Sequence, residues 1–233
     1  MLVDHIVRCI IQPVARADTP GPPPTPWHPS ALLDGYEGFY ADFSTMDGVV
    51  QDGDTWMLGE HIFTGRNSPQ LTDGGISFDG SRSQLLVGAE SLAPAMGNYP
   101  ITIAMNVASV PSGSIDTAII LGASEYYVLR CTASNNKYAV TRNTDYVQSA
   151  INSGESGGVL LGDYRTDRTA LYVNDSGPAY HTSQPTMGSR PHEISIGGMS
   201  DNTPDYGTGI LKSVFMVNRS LTDEERQKLL DYM

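Results

Sequence analysis

The chain has 233 residues, with 14 Lys and Arg against 26 Asp and Glu, which gives a formal net charge of −12. Because 39% of the residues are hydrophobic and only 17% are charged, the chain can bury a core and is unlike a disordered protein. Few basic residues and no basic run argue against nucleic-acid binding and against an anionic membrane surface. The 24 Gly and 15 Pro residues favour short strands joined by tight turns.

The first 29 residues differ in character from the rest of the chain. An apolar start is followed by a Pro-rich spacer at residues 20–29, which favours a stiff, extended conformation. Chain ends are seldom ordered unless something holds them, so we expect the apolar start to dock onto the domain or a partner. We predict an anchoring and assembly arm at 1–29 and one domain at 30–233. The apolar residues of the arm are Val3, Ile6, Val7, Ile10 and Ile11.

From residue 38 onward, short apolar segments alternate with turn residues. The clearest is 101–107, in which every odd-numbered residue is apolar, as in a half-buried strand. With no long helix between the segments, they predict an antiparallel sandwich or barrel. The predicted strands are 38–43, 75–80, 83–87, 101–107, 118–121, 126–130, 137–141, 159–163, 169–173, 193–197 and 210–216.

One helix is expected, at the end of the chain. Thr222 can cap its first turn, and Glu225 three residues later completes a capping box. Leu229, Leu230 and Met233 form an apolar stripe that can close one end of the sandwich.

Four motifs in order resemble those of the laminin-G-like, concanavalin A-like jelly rolls. Residues 75–80 (GISFDG) resemble the strand near the start of those domains, and 169–175 (TALYVND) resemble their "LYVNG" strand and turn. Residues 194–198 (ISIGG) and 209–225 (GILKSVFMVNRSLTDEE) resemble the last two motifs, with Asp175 replacing the usual glycine. The resemblance covers about residues 36–233 and implies an all-β jelly-roll sandwich with one short C-terminal helix.

This closing motif is similar to the form found in virion proteins of bacteriophages and of particles like gene transfer agents. The resemblance implies a non-enzymatic fibre, spike or capsid-decoration protein on a virion surface. Its arm would bind other virion proteins, the chain would form a homo-oligomer, and its domain would bind host-surface carbohydrate. The alternatives are an extracellular carbohydrate-binding module secreted by a bacterium and a polysaccharide hydrolase or lyase on the same fold.

The catalytic signals in the sequence are incomplete. Residues 154–158 (GESGG) resemble the nucleophile motif of serine proteases, but none of the five histidines lies in the sequence context that such a protease needs. Retaining glycosidases need two carboxylates close together, and no predicted strand carries such a pair on one face. Cys9 and Cys131 form neither a disulfide framework nor a zinc motif. We therefore expect a chain that is not an enzyme.

Two kinds of binding residue are expected. Calcium takes oxygen ligands from loops, and its candidates are Asp79, Asp201, Asn202 and Asp205. Sugars stack on exposed aromatic rings, and the candidate tyrosines are Tyr126, Tyr146, Tyr164, Tyr180 and Tyr206.

Overall fold

The structure is a computed structural model. It describes residues 26–79, 85–88, 92, 100–109, 117–121, 127–132, 137–142, 145–152, 157–174, 177–181, 194–198 and 208–233. The apolar residues predicted for the arm therefore lie outside the described residues, as does much of the loop sequence between strands.

The described chain is built almost wholly of strands. A short 3-10 helix at Pro29–Leu33 precedes them, and one α-helix, α1 (Asp223–Tyr232), follows them. The strands are β1 (Gly38–Asp42), β2 (Val49–Asp52), β3 (Thr55–Leu58), β4 (His61–Arg66), β5 (Gln70–Thr72), β6 (Gly75–Asp79), β7 (Leu85–Gly88), β8 (Ile101–Ser109), β9 (Thr117–Leu121), β10 (Tyr127–Thr132), β11 (Lys137–Arg142), β12 (Asp145–Asn152), β13 (Gly158–Tyr164), β14 (Thr169–Val173), β15 (Ala179–His181), β16 (Ile194–Ile196) and β17 (Thr208–Val217).

The strands form two antiparallel sheets, so the predicted all-β sandwich with one C-terminal helix is confirmed. The nine-stranded sheet has the order β12-β11-β10-β9-β16-β7-β4-β3-β2. The eight-stranded sheet has the order β15-β14-β13-β8-β17-β6-β5, and β1 also pairs with β17. Among the described residues, no helix is long and apolar enough to cross a membrane.

The longest strand, β17, organises the eight-stranded sheet. It pairs with β8 on one side, whereas its other side pairs first with β6 at Thr208–Leu211 and then with β1 at Ser213–Val217. This arrangement brings the first strand of the domain beside its last. The turn before β1 is thereby held next to the segment that leads into α1.

The core has two layers, which follow from the alternation of side chains along strands. In β8 the odd-numbered residues Ile101, Ile103, Met105 and Val107 are buried between the two sheets, as predicted. Ala104 points to the opposite face and joins a second cluster. In β17 a register shift near Leu211 and Ser213 changes this parity, so Val214 and Met216 face the main core.

Helix α1 covers the outer face of the eight-stranded sheet rather than the end of the sandwich that was predicted. Its Leu229 and Leu230 are buried with Phe215 and Tyr40 from that face. The predicted capping box is present: the Glu225 amide donates to Thr222 Oγ1 at 3.2 Å, and the Thr222 amide donates to Glu225 Oε2 at 2.8 Å. The helix stripe packs on the sheet because strands β1, β8 and β17 present their second apolar face there.

Gly197→Ala should destabilise the domain by about 2–4 kcal/mol. Gly197 follows β16 with φ +98°, and a methyl group there would overlap the buried ring of Phe78. Urea unfolding measures the change. Gly177→Ala is the matched control, because nothing lies within 4 Å of its added methyl group, and equal unfolding midpoints for the two variants would contradict the prediction.

Candidate functional site

A cleft of about 730 Å³ opens where β1 of one sheet meets the turns before β2 and before β4 of the other. Its walls come from the 3-10 helix, from residues 34–37 and from those turns. Four exposed carboxylates line it: Asp34, Glu37, Asp47 and Glu60. Its lining also includes the rings of His28, Tyr36, Tyr40 and His61.

Tyr36 is presented to the cleft by a tight turn. The 3-10 helix ends at Leu33, whose carbonyl accepts a hydrogen bond from the Tyr36 amide at 2.9 Å. Gly35 takes a left-handed φ of +74°, which a residue with a side chain adopts only with strain. The turn leaves 51% of Tyr36 exposed, so about half of this residue is accessible to a ligand.

Arg219 supports the ring of Tyr36. The guanidinium carbon lies 4.8 Å from the ring centroid, a cation–π distance. The two terminal nitrogens each donate to a Glu225 oxygen at 2.9 Å, and Nη2 and Nε donate to the Leu32 carbonyl at 3.1 and 3.3 Å. Since planar guanidinium groups bind carboxylates in two places with fixed geometry, Arg219 holds one face of the Tyr36 ring in place.

Asn218 fixes the same turn through the backbone. Its side-chain oxygen accepts a hydrogen bond from the Glu37 amide at 3.1 Å, and its own amide donates to the Glu37 carbonyl at 3.0 Å. Asn218 and Arg219 belong to the closing motif at residues 209–225, so the motif that indicates the fold also builds one wall of the cleft.

His28 has a defined tautomer. Its Nδ1 accepts a hydrogen bond from the Ser30 amide at 3.2 Å, so the proton lies on Nε2, which donates to Asp47 Oδ2 at 2.6 Å. The ring also packs edge-on against Tyr40 and Tyr232, with centroids 5.2 and 5.5 Å away. These contacts attach residue 28, which the sequence places in the arm, to the domain.

Tyr40 lies below this cluster and is buried. Burial, together with the nearby Asp42 carboxylate, raises the pKa of the Tyr40 hydroxyl well above its usual value. Tyr40 therefore stays uncharged and acts as a rigid wall of the cleft.

His61 lies on the other wall, at the start of β4. Its Nε2 is 3.2 Å from the Gly38 carbonyl, which can only accept, so Nε2 carries the proton. In that tautomer Nδ1 is a hydrogen-bond acceptor. The cleft thus combines one exposed ring with acceptor groups on both sides.

Of the predicted sugar-binding tyrosines, the structure describes the side chains of Tyr164 and Tyr180, and neither lines this cleft. Tyr164 is fully buried in the main core, which corrects its assignment as a sugar platform, because Leu160, Gly162 and Tyr164 share the inward face of β13. Tyr126 and Tyr206 lie outside the described residues. Tyr146 belongs to β12, and nothing is described of its side chain.

Tyr180 is the predicted tyrosine that the structure exposes, with 52% of its surface accessible. It lies in β15, the outer strand of the eight-stranded sheet, and the Arg168 guanidinium lies 5.2 Å from its ring centroid. Tyr180 is a second exposed ring with an arginine on it, and it makes a matched counterpart to Tyr36.

Of the calcium candidates, the structure describes Asp79, at the end of β6 and exposed. Asp201, Asn202 and Asp205 lie outside the described residues. Within the part of the chain that is described, no group of three or more His, Cys, Asp or Glu side chains is placed to hold a metal ion. The calcium site stays a prediction.

Sequence reasoning missed Tyr36, His28 and His61 as a group. The available signal was local: Asp34-Gly35-Tyr36-Glu37-Gly38 places a tyrosine between two glycines, in a turn before a strand. Nothing in the sequence alone brings residue 36 next to residues 28, 61 and 219.

Comparisons with known proteins yield structures alone: no protein family and no curated protein matches the chain. A Trypanosoma rangeli sialidase in complex with sialic acid matches with a TM-score of 0.63 and 15% identity, over 85% of this chain and 33% of the sialidase. This chain thus spans about a third of the length of the sialidases that it matches.

Two matches are of nearly whole domains. Domain 4 of AbnA, a GH43 extracellular arabinanase from Geobacillus stearothermophilus, in complex with arabinotriose, matches with a TM-score of 0.58 and 12% identity, over 84% of this chain and 98% of that domain. The CBM40 of the Ruminococcus gnavus IT-sialidase, bound to α2,3-sialyllactose, matches with a TM-score of 0.50 and 11% identity, over 73% of this chain and 95% of that chain. The chain has the β-sandwich fold of carbohydrate-binding and glycosidase-associated domains, and at these identities the likeness shows the fold alone.

These neighbours overturn the prediction that the chain is not an enzyme. Sialidases are enzymes, and about a third of each matched sialidase has the fold of this chain. The prediction rested only on a missing carboxylate pair and on a serine motif without its histidine. Missing motifs of one mechanism do not exclude another.

The Arg219–Glu225 contact should make the stability of the domain depend on pH in acid. Hydrogen bonds from Arg219 lower the pKa of Glu225 to about 2, below its ordinary 4.5. A lowered pKa stabilises the fold fully above the ordinary value, and this contribution is lost as the pH falls toward 2. Urea unfolding at about pH 7 and about pH 3 should therefore show a smaller loss of stability for Glu225→Gln than for the wild type.

Glu224→Gln is the control, since Glu224 lies in the same helical turn but is exposed beside Lys228. It should retain most of the wild-type pH dependence, because exposed ion pairs contribute little. If Glu225→Gln lost as much stability in acid as the wild type, the proposed anchoring by Arg219 would be wrong.

Proposed function

We propose that this chain is a carbohydrate-binding domain whose ligand lies in the cleft around Tyr36. The observation that carries the proposal is the half-exposed Tyr36 ring, supported by Arg219 at 4.8 Å, within a cleft of about 730 Å³. A sugar has an apolar C–H face and a rim of hydroxyl groups. A fixed aromatic ring with hydrogen-bonding groups around it fits both.

The rim supplies those hydrogen-bonding groups. Asp34, Glu37 and Glu60 are exposed on the lining and accept hydrogen bonds from hydroxyl groups. The volume lies within the range of small-molecule sites, ~300–1,000 Å³, and suits a short stretch of a glycan chain. The shared fold with a domain solved with arabinotriose and with a CBM40 solved with sialyllactose supports the proposal.

Replacement of the ring is the direct test. Tyr36→Ala should weaken binding to glycans by at least about tenfold, or ~1.4 kcal/mol, whereas Tyr36→Phe should retain most of the affinity because it keeps the stacking face. The measurement is calorimetry or affinity electrophoresis on the glycan that the wild type binds best in a polysaccharide panel.

Tyr180→Ala is the matched control, because its ring is 52% exposed against 51% for Tyr36 and also has an arginine on one face. It should bind like the wild type. If Tyr180→Ala lost the affinity and Tyr36→Ala kept it, the cleft would not be the binding site. A wild type that binds no glycan of the panel would contradict the function itself.

More specifically, we propose that the domain lies on the surface of a phage or phage-like virion, and the closing motif at residues 209–225 supports this proposal. A secreted extracellular module would use the same cleft. In both cases the segment before residue 26 is proposed to bind a partner, either another virion protein or a second copy of this chain.

Removal of residues 1–25 tests whether this segment binds a second copy of the chain. The shortened chain keeps Trp27 and His28 in contact with Tyr232. Light scattering should show an oligomer for the full chain and a monomer for the shortened one, with unchanged circular dichroism. An oligomer of the same size without residues 1–25 would show that the arm does not hold copies together.

A further inference from the structure

The lining of the cleft has one sign of charge. Asp34, Glu37, Asp47 and Glu60 contribute four carboxylates, and among the described residues no Lys or Arg lines the cleft. Arg219 supports Tyr36 but forms a two-point ion pair with Glu225, so its charge is balanced within the wall. The net charge of −12 for the whole chain has the same sign.

His28 contacts one of the four carboxylates, with its Nε2 2.6 Å from Asp47 Oδ2. Asp34, Glu37 and Glu60 form no ion pair with another described residue. These three carboxylates carry the negative charge of the lining.

Resting on the proposed function, we infer that the cleft takes uncharged, hydroxyl-rich glycans and rejects glycans that carry carboxylate groups. Carboxylates act as acceptors only, so the ligand must supply donors, and sugar hydroxyls do. Hydrogen bonds to an ionised acceptor are stronger than neutral ones. A uronic or sialic acid would instead bring a like charge among four carboxylates, in a cleft that concentrates their field. The cleft thus calls for a different ligand from the sialyllactose of the CBM40 neighbour.

The test compares neutral glycans with acidic counterparts, and the cello-oligosaccharides and their C6-oxidised forms are the pair with the same chain and linkages. We would measure the affinity of the full chain for cello-oligosaccharides, galactan and lactose, and for their acidic counterparts, C6-oxidised cello-oligosaccharides, galacturonan and sialyllactose. The measurements are made at about pH 8, more than one unit above the ordinary pKa of a free imidazole, ~6.5. In about 10 mM salt, the neutral glycan of whichever pair the chain binds should bind at least about tenfold tighter than its acidic counterpart.

Two changes should reduce the ratio of the affinity for the neutral glycan to the affinity for its acidic counterpart. Raising the salt to about 1 M shortens the Debye length from ~30 to ~3 Å and should bring the two affinities together. The double variant Glu37→Gln with Glu60→Gln should also reduce the ratio at low salt. Asp73→Asn with Asp167→Asn is the matched control, because it removes two charges at exposed positions outside the cleft lining and should leave the ratio as in the wild type.

The outcomes separate the two proposals. Acidic glycans that bind as tightly as neutral ones, with affinity lost in Tyr36→Ala, would overturn the charge selection and leave carbohydrate binding in the cleft intact. A ratio unchanged by salt and by the Gln variant would also overturn it, since the discrimination would not be electrostatic. If no glycan of either kind binds, the proposed function fails and the selection fails with it.

Discussion

The guanidinium group of Arg219 connects the segment before β1 with the start of α1. It binds the carbonyl of Leu32 at the end of the 3-10 helix, the carboxylate of Glu225 in the first turn of α1, and the ring of Tyr36. Arg219 donates two hydrogen bonds to the Leu32 carbonyl and two to the Glu225 carboxylate, with donor–acceptor distances between 2.9 and 3.3 Å. The side chain of Arg219 is only 14% exposed, so its charge would be costly without these partners. The cleft wall, the helix start and the segment before β1 therefore depend on one another.

The sandwich positions this contact through the pairing of β1 with β17. Asn218 and Arg219 directly follow β17, and Glu37 directly precedes β1, so antiparallel pairing sets them side by side. The same pairing turns Tyr40 outward, onto the face that α1 covers. One strand register thus determines both where the helix packs and where the aromatic ring is presented.

The fold was readable from the sequence where the pattern was strong and local. The alternation in β8, the strand at Thr169–Val173 and the capping box of Thr222 and Glu225 all appear as predicted. Strands β2 to β4 were missed because Asp and Gly residues interrupt them and their outward faces are mixed, as the exposed Val50 and Ile62 show.

The site was harder to predict for a physical reason. His28, Tyr36, His61 and Arg219 meet through pairing between strands far apart in sequence, and no short-range pattern encodes that meeting. The candidate tyrosines were chosen by proximity to turns, which does not distinguish an exposed ring from one such as Tyr164 that closes the main core. The alternation of residues along β13, which places Tyr164 on the same face as Leu160 and Gly162, is the signal that identifies Tyr164 as a core residue.

The exposed groups of the cleft lining and the framework beneath them come from different kinds of residue. Asp34, Tyr36 and Glu60 lie in turns, whereas the buried side chains of β1, β8 and β17 hold those turns in place. Substitutions in the turns can therefore accumulate during evolution at little cost to folding, since loops tolerate change far better than cores do. Domains with this framework can diverge to new ligands while the arginine contact and the strand register stay the same.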